Sequence, residues 1–375
     1  MKSFTTLVLD ELRKLIVIAD YLIWLLFDPS KFKRIDKSKI RKVLIIHLGA
    51  MGELLILTPV IHALKKELNT DIDFMVSKGK EDVLKNNPNL SKIIIYQDSY
   101  SKNLDTIKKE NYNLAVIMWP GFPKISWMCM KAGIPYRIGV FKNVKDGINF
   151  FFTRRMLDLR RKHAVECNLD IIRTIGIDNK NPKLEFYLSK EDEQRGKKII
   201  SKLKLSKYVI IHPGFSFSNI KYPSRWWPPE RYAAVADYLI KKRKMKVLLT
   251  GNNEEKKFSE DIKKFAKHKK DILITNGRLS LSELAYLIKK AGLIIAPSTG
   301  VIHLASALGT NIIQISGKDD QVLWTPFSKS AKVIFHPEVC TECDKVYCRK
   351  RTQECMKAIT SEEVIKAIDS LLDRR

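Results

Sequence analysis

The sequence contains no hydrophobic run long enough to cross a membrane. Its most apolar stretch, residues 15–27, is shorter than the roughly 20 apolar residues that a spanning helix needs, and Asp20 interrupts it. The same stretch lacks the small-residue cleavage site of a secretory signal peptide. These absences predict a cytoplasmic protein, in which cysteine thiols are kept reduced and clustered cysteines are more often metal ligands than disulfides.

Acidic residues are scarce relative to basic ones. The chain of 375 residues has 41 Asp and Glu against 68 Lys and Arg, which gives a net charge of +27. This balance favours a polyanionic partner, such as a nucleic acid, an anionic membrane or a phosphorylated substrate. Because the lysines are dispersed along the chain, a general compositional bias is the alternative explanation. No recognised nucleic-acid-binding motif stands out, so we expect no nucleic-acid partner.

Residues 1–41 form an amphipathic, basic N-terminal extension. An apolar helical pattern is followed by K-F-K-R-I-D-K-S-K-I-R-K, a combination typical of a helix that lies in the interface of an anionic membrane. The alternative is a helix that packs on the protein's own core or on a partner chain.

From Lys42 onward, short Val- and Ile-rich runs alternate with helical patterns. Ten runs have the character of parallel strands covered on both faces: K-V-L-I-I-H, D-I-D-F-M-V, K-I-I-I-Y, N-L-A-V-I-M-W, Y-R-I-G-V, Y-V-I-I-H, K-V-L-L-T, D-I-L-I-T, L-I-I-A-P and N-I-I-Q-I-S. The alternation pauses near Pro182, which predicts two Rossmann-like domains, residues 42–185 and 186–360, and a C-terminal helix over 361–375. Ligands of such sheets bind at the carboxyl ends of the strands, so we expect substrates in a cleft between the domains.

The loop after the first strand, G-A-M-G-E, does not match the dinucleotide-binding pattern G-x-G-x-x-G. This mismatch argues against an oxidoreductase or a nucleotide-sugar epimerase that relies on that turn. Residues 49–57 are predicted to be a long loop or an irregular first turn, with Thr58 as the N-cap and Pro59 as the first residue of the next helix. Glu53 on this loop is a candidate general base, and the alternative is a solvated surface glutamate.

The loop H-P-G-F-S-F-S-N-I-K-Y-P-S-R-W-W-P also follows a strand. Ser216, Ser218 and Arg225 supply the hydroxyls and the cation that suit a phosphate group. The tryptophans and prolines after Arg225 are expected to fix its backbone. The alternative is a structural loop anchored by buried tryptophan.

Two helix starts can be read from local patterns. Ser189, with Asp192 three residues later, predicts a capped helix. In T-G-N-N-E-E, the strand-end glycine followed by amides and carboxylates suits a ribose or a base, but helix capping by Asn252 or Asn253 explains the same residues equally well.

The loop A-P-S-T-G-V-I-H-L-A-S-A-L-G combines a strand end with a helix start. Ser298 and Thr299 are predicted to cap a helix that begins at Gly300, and the free N–H groups of its first turn can bind an anion. His303 in that turn can reach the same anion. A histidine that only packs in the core is the alternative.

Six motifs in this order resemble glycosyltransferase family 9, the heptosyltransferases of lipopolysaccharide core synthesis. They are G-A-M-G-E-L-L-I-L-T-P, A-G-I-P-Y-R-I-G, H-P-G-F-S…R-W-W-P, T-G-N-N-E-E, P-S-T-G-V-I-H-L-A-S-A-L-G and the final cysteine cluster. The resemblance implies a GT-B fold of two Rossmann-like domains. It also implies inverting transfer of a sugar, most often heptose from an ADP-linked donor, onto a lipid-linked acceptor without a metal or other cofactor.

The resemblance also implies roles for individual residues. Glu53 is the catalytic base, where the family usually has Asp. By the same resemblance, the donor's diphosphate and nucleotide are bound by a set of residues in the C-terminal half: Ser216, Ser218, Arg225, Glu254 or Glu255, Ser298, Thr299, Gly300 and His303. Ser298 departs from the Asp that is usual at its position, a change that affects which donor is held. Arg137 lies in a family motif in which its role is structural.

The four clustered cysteines have the spacing C-x2-C-x4-C-x6-C. Cys340, Cys343, Cys348 and Cys355 suit a structural zinc ion, with reduced or disulfide-paired thiols as the alternative. The resemblance adds a peripheral location at the inner face of the inner membrane, where the lipid-linked acceptor lies. A non-catalytic family member and a basic nucleic-acid- or lipid-binding protein are the competing hypotheses.

Overall fold

The computed structural model describes residues 35–118, 123–141, 152–157, 162–214, 224–317, 321–339 and 348–373. Most of the predicted N-terminal extension therefore lies outside the described residues. Its last part contains a 3-10 turn over Lys37–Lys39, capped by the Asp36 side chain, and buries Ile35 and Ile40. In the described ranges, no helix is both long enough and apolar enough to cross a membrane.

Two compact units make up the described chain. The first comprises residues 35–50 and 57–182, and the second comprises residues 51–56 together with those from 183 onward. The short segment 51–56 thus belongs by its contacts to the second unit, whereas the sequence groups it with the first predicted domain. The contacts responsible are tertiary, and no local sequence pattern predicts them.

The first unit is a parallel sheet with covering helices. Its strands are β1 (Lys42–Ile46), β2 (Asp71–Ser77), β3 (Lys92–Tyr96), β4 (Leu114–Ile117), β5 (Tyr136–Phe141) and β6 (Arg154–Leu157), in the order β3-β2-β1-β4-β5-β6. Its helices are α2 (Thr58–Leu68), α3 (Tyr100–Lys109), α4 (Pro123–Lys131) and α5 (Ala164–Arg173), while α1 (Met51–Ile56) belongs to the second unit.

The second unit repeats this architecture. Its strands are β7 (Tyr208–Ile211), β8 (Lys246–Leu249), β9 (Ile272–Ile274), β10 (Ile294–Pro297), β11 (Ile312–Ile315) and β12 (Ala331–Ile334), in the order β12-β11-β10-β7-β8-β9. Its further helices are α6 (Lys190–Lys202), α7 (Pro229–Arg243), α8 (Lys256–Phe265), α9 (Leu281–Lys290), α10 (Gly300–Leu308), α11 (Glu354–Ala358) and α12 (Ser361–Leu372). Counted within each unit, both sheets have the Rossmann order 3-2-1-4-5-6.

The strands form where the sequence is richest in buried Val, Leu and Ile. All four residues of β7, β10 and β11 are buried, as expected for parallel strands covered on both faces. All ten predicted strands are present. β6 and β12 were not predicted, because β6 has two arginines among its four residues and β12 is only partly buried along its whole length. Both are edge strands, which need no continuous apolar run.

Helix starts follow local chemistry in most places. The predicted cap of α6 is confirmed: the Ser189 hydroxyl accepts from the Asp192 N–H at 3.1 Å, and the Asp192 carboxylate accepts from the Ser189 N–H at 3.0 Å. Equivalent boxes begin α9 at Ser280 and α12 at Thr360.

Of the two alternatives predicted for residues 49–57, a long loop or an irregular first turn, the long loop is wrong. Residues Met51–Ile56 form α1, and α2 begins directly afterwards with Leu57, not Thr58, in the N-cap position. The reason is packing. Leu54, Leu55 and Ile56 are almost fully buried, and a helical turn satisfies their backbone groups while it buries their side chains.

Candidate active site

The carboxyl ends of the strands in the second unit meet at one edge of its sheet. The strand order reverses direction between β7 and β10, and open α/β sheets bind ligands outside the strand ends at such a switch point. His212 directly follows β7, and Ser298 directly follows β10. The His212 N–H donates to the Ile295 carbonyl at 2.9 Å, so the two strands are held together up to this edge.

Helix α10 starts at this edge with its first-turn N–H groups unoccupied by a side-chain cap. Gly300 begins the helix, as predicted, and Thr299 takes the N-cap position with extended backbone. The predicted cap is thus confirmed in position for Thr299, although its hydroxyl makes no capping hydrogen bond. Thr299 Oγ1 is buried and has no hydrogen-bond partner among the described residues. A helix start without a side-chain cap and with an available hydroxyl suits an anion such as a phosphate.

Glu53 lies beside this helix start because α1 packs on α10. A Cβ added to Gly52 would lie 2.9 Å from His303 Cδ2 and 3.1 Å from Gly300 Cα, so only glycine permits the observed approach. Glu53 is the next residue along, in the first turn of α1, and is half-buried. His303 is 7% exposed. The structure thus brings the predicted base and the predicted anion site together in one compact unit.

The T-G-N-N-E-E loop places one of its two glutamates inward. Glu255 is buried, whereas Glu254 is exposed. The Asn252 N–H donates to the Glu255 carboxylate at 2.9 Å, and the Glu255 N–H donates to the Asn252 side chain at 2.9 Å. Burial raises the pKa of Glu255, a shift that the Asn252 N–H opposes and the neighbouring charge of Glu254 reinforces.

Two strand-end glycines make room for the Glu255 carboxylate. A Cβ at Gly214, just after β7, would overlap this carboxylate, and one at Gly251, just after β8, would lie 2.6 Å from Glu255 Oε2. Glu255 therefore stands at the same edge as His212 and Thr299. The sequence named Glu254 and Glu255 together, and the geometry favours Glu255 as the one that meets a ligand at the strand ends.

His212 is a residue that the sequence analysis did not single out. Its Nδ1 lies 3.0 Å from the hydroxyl of Thr250, the first residue after β8. Burial lowers the pKa of His212 to about 4, which keeps the imidazole neutral at pH 7. Its position as the first residue after a strand, ahead of Pro213 and Gly214, is the signal that could have identified it.

Arg225 is positioned by Trp227, two residues further along the chain. Trp227 is fully buried, its Nε1 donates to the Ile359 carbonyl at 2.9 Å, and its ring packs edge-on against Tyr232. Before Arg225, the Ser224 carbonyl lies against Gly317 beyond β11, where a Cβ would come within 2.9 Å of it. The tryptophan anchor is thus present and holds half-buried Arg225 near the strand-end edge. Ser216 and Ser218 lie outside the described residues.

The other predicted residues are only partly described. Cys340 and Cys343 lie outside the described residues, whereas Cys348 and Cys355 are buried and form no disulfide. The described part of the chain contains no group of three metal-binding side chains, and the zinc site stays a prediction. Arg137 donates to the carbonyls of Ile134 and Pro135, contacts that hold the turn before β5.

The family follows from comparison of the whole sequence with known proteins. The sequence model described as "Glycosyltransferase family 9 (heptosyltransferase)" matches residues 102–353, about two thirds of the chain. The chain belongs to glycosyltransferase family 9. It is similar to lipopolysaccharide heptosyltransferase 3 of Escherichia coli, with 21% identity over 86% of this chain and 96% of that protein.

Solved structures agree on the fold. A glycosyltransferase of family 9 from Veillonella parvula superimposes with a TM-score of 0.78 at 19% identity, covering 92% of this chain and 99% of that one. The E. coli ADP-heptose lps heptosyltransferase II gives a TM-score of 0.72 at 19% identity, covering 89% and 99%. The chain is therefore a glycosyltransferase with the GT-B fold, as its motifs predicted.

Proposed function

We propose that this glycosyltransferase moves heptose from an ADP-linked donor onto a lipid-linked acceptor of the lipopolysaccharide core, with inversion at the anomeric carbon. One observation carries the proposal. Helix α1, which bears Glu53, packs through Gly52 on the start of α10, which offers the anion site. An inverting transfer needs a base for the incoming hydroxyl and a cradle for the departing diphosphate, and these two parts adjoin here.

The reaction is a single displacement. Glu53 takes the proton of the acceptor hydroxyl as its oxygen forms a bond to the anomeric carbon. The bond between that carbon and the diphosphate oxygen breaks, and ADP leaves with the electron pair. The negative charge that grows on the diphosphate is stabilised by the first-turn N–H groups of α10, the Thr299 hydroxyl and the Arg225 guanidinium. No metal or other cofactor takes part in this scheme.

The nucleoside of the donor is assigned to the neighbouring strand ends. The Glu255 carboxylate, placed against Gly214 and Gly251, is a hydrogen-bond acceptor for ribose hydroxyls. Support for ADP as the nucleotide comes from the family and from the E. coli structural neighbour, an ADP-heptose lps heptosyltransferase. Ser298, buried just before the N-cap of α10, is the residue whose departure from the family pattern bears most on donor choice.

The acceptor and the location belong to the same proposal. A lipid-linked, phosphorylated acceptor at the inner face of the inner membrane would attract a protein of net charge +27. The basic N-terminal extension adds to this attraction. The protein is proposed to act there as a peripheral enzyme.

Replacing the base tests the proposal. In Glu53→Gln, we expect heptose transfer from ADP-heptose to fall by at least a hundredfold, because the amide cannot accept the proton, while calorimetry still detects ADP binding. Glu191→Gln is the matched control, since Glu191 is exposed in the first turn of α6. Full transfer activity in Glu53→Gln would remove Glu53 from the mechanism. Donor binding without transfer by the unmodified protein, on every core acceptor tried, would favour a non-catalytic family member.

A further inference from the structure

His212 lies at the topological switch point of the second unit, between β7 and β10. It is the first residue after β7, and its N–H is bonded to β10 through the Ile295 carbonyl. Helix α10, the proposed cradle of the diphosphate, begins only five residues beyond Ile295. The imidazole therefore stands at the sheet edge where the rules for open α/β sheets place a ligand.

One nitrogen of the ring is already engaged by the protein. His212 Nδ1 lies 3.0 Å from Thr250 Oγ1, and Thr250 is 1% exposed. This is the single hydrogen bond of the Thr250 hydroxyl among the described residues. The Thr250 N–H donates to the Ile211 carbonyl at 3.0 Å, which holds the hydroxyl level with the imidazole at the edge of the sheet.

The other nitrogen, Nε2, makes no hydrogen bond to a described residue. It is also absent from the set of fully enclosed polar atoms without a partner, so it is not sealed inside the protein. His212 as a whole is 9% exposed, and part of the Nε2 surface remains open. When the Thr250 hydroxyl donates to Nδ1, the ring proton is on Nε2, and Nε2 becomes a hydrogen-bond donor. A donor at this place suits an anionic oxygen.

We propose that His212 is a substrate-binding residue whose Nε2–H donates to the diphosphate of the nucleotide sugar, with Thr250 as the positioning residue that selects this tautomer. The contact rests on the proposed function and adds a residue that the family motifs did not assign. The low pKa that burial gives His212 agrees with this role, because the ring is then a neutral donor whose charge does not change near pH 7.

Calorimetry with two probes, ADP and adenosine, separates a diphosphate contact from a general loss of structure. In His212→Leu, we expect ADP affinity to fall by about tenfold or more, since a hydrogen bond to a charged group is lost, while adenosine affinity is unchanged. His212→Gln, which keeps an N–H near the position of Nε2, is expected to recover part of the ADP affinity. His62→Leu is the matched control, because His62 is exposed on α2.

Variants of Thr250 provide a second test of the contact. Thr250→Val removes the hydroxyl at nearly constant volume and is expected to lower ADP affinity less than His212→Leu does, whereas Thr250→Ser is expected to retain it. Equal losses for ADP and adenosine, or no loss for ADP, would overturn the contact while leaving the proposed function standing. If the unmodified protein binds neither ADP nor adenosine, both the His212 contact and the proposed function are overturned. If it prefers UDP to ADP, only the donor assignment is overturned, and UDP and uridine then serve as the two probes.

Discussion

Gly52 and Gly300 approach each other so closely that a Cβ on Gly52 would lie 3.1 Å from the Gly300 Cα, and a Cβ on Gly300 would lie 3.2 Å from the Gly52 nitrogen. Both neighbours are backbone atoms, which cannot move aside as a flexible side chain can. The pair of glycines therefore sets the distance between the helix that carries Glu53 and the helix start that offers the anion site. Any side chain at either position must push the two apart.

We expect Gly52→Ala to lower transfer by about tenfold while the fold is retained, because the added Cβ must shift α1 away from α10 and catalysis is sensitive to the position of the base relative to the leaving group. Transfer rate and ADP affinity should be measured together with thermal stability. Gly292→Ala is the control, since its Cβ would meet mainly the flexible end of Met245. Undiminished transfer in Gly52→Ala would mean that this approach does not govern catalysis.

The fold was predictable because its signals are local. Runs such as Y-V-I-I and L-I-I-A-P are apolar enough to specify buried parallel strands, and Ser189 with Asp192 specifies a helix start by itself. The start of α10 at Gly300 was likewise visible. These features depend on residues within four positions of one another, which a single sequence displays.

The arrangement of the candidate site was harder to predict from the sequence. That α1 is a helix and packs on α10 depends on residues almost 250 positions apart along the chain. That Glu255 turns inward and Glu254 outward depends on the space left by Gly214, which follows a different strand. The pairing of His212 with Thr250 likewise joins two strand ends. The sequence shows each of these residues, but it does not show which residue each one contacts in the folded chain.

The two adjacent glutamates should behave differently toward ribose. We expect Glu255→Gln to weaken ADP binding about tenfold and to abolish any preference for ADP over 2′-deoxy-ADP, because the carboxylate is the stronger acceptor for ribose hydroxyls. Glu254→Gln is the adjacent control and is expected to bind ADP as the unmodified protein does, since Glu254 is exposed. Calorimetry with both nucleotides measures the effect. The reverse pattern would assign the ribose to Glu254.

A cluster of charges in the first unit predicts the acid sensitivity of its fold. Glu110 accepts hydrogen bonds from Lys42 and from Lys92, the latter at 2.6 Å, and these contacts lower the pKa of Glu110 to about 2. Lys42 also lies 3.3 Å from the buried carboxylate of Asp73, which accepts from the Tyr112 hydroxyl at 2.7 Å. The cluster ties the starts of β1 and β3 to the end of α3.

We expect Glu110→Gln to lower the free energy of unfolding by ~1–2 kcal/mol at pH 7, after allowance for the solvent that reaches this pair. Because the folded-state pKa lies below the unfolded value of about 4.5, this stabilisation is complete above about pH 5 and is lost as the pH falls toward 2. Urea unfolding of both proteins from pH 7 to pH 3 should therefore show a shrinking difference. Glu67→Gln, which alters an exposed 3.7 Å pair with Lys37, is the control, and a difference independent of pH would contradict the assignment.

Most of the N-terminal extension can be removed without cutting into the described residues if the chain starts at Ile35. Ile35 and Ile40 are buried, and Asp36 caps the turn between them, so a deletion that extends to residue 40 would also disturb the core. Deletion of residues 1–34 removes the apolar helical pattern together with Lys31, Lys33 and Arg34. Each basic residue contributes ~1 kcal/mol of attraction near an anionic bilayer.

We therefore expect this deletion to weaken binding to vesicles that contain anionic lipid by at least tenfold, while ADP affinity and transfer to a soluble, lipid-free acceptor are retained. Vesicles of neutral lipid alone, with either protein, separate the apolar from the electrostatic share of the binding. Raising the salt concentration should reduce the binding of the full chain to anionic vesicles, because exposed charges are screened. Equal vesicle binding with and without residues 1–34 would show that the extension does not anchor the enzyme, and would leave the dispersed basic surface of the two units as the source of any attraction to the membrane.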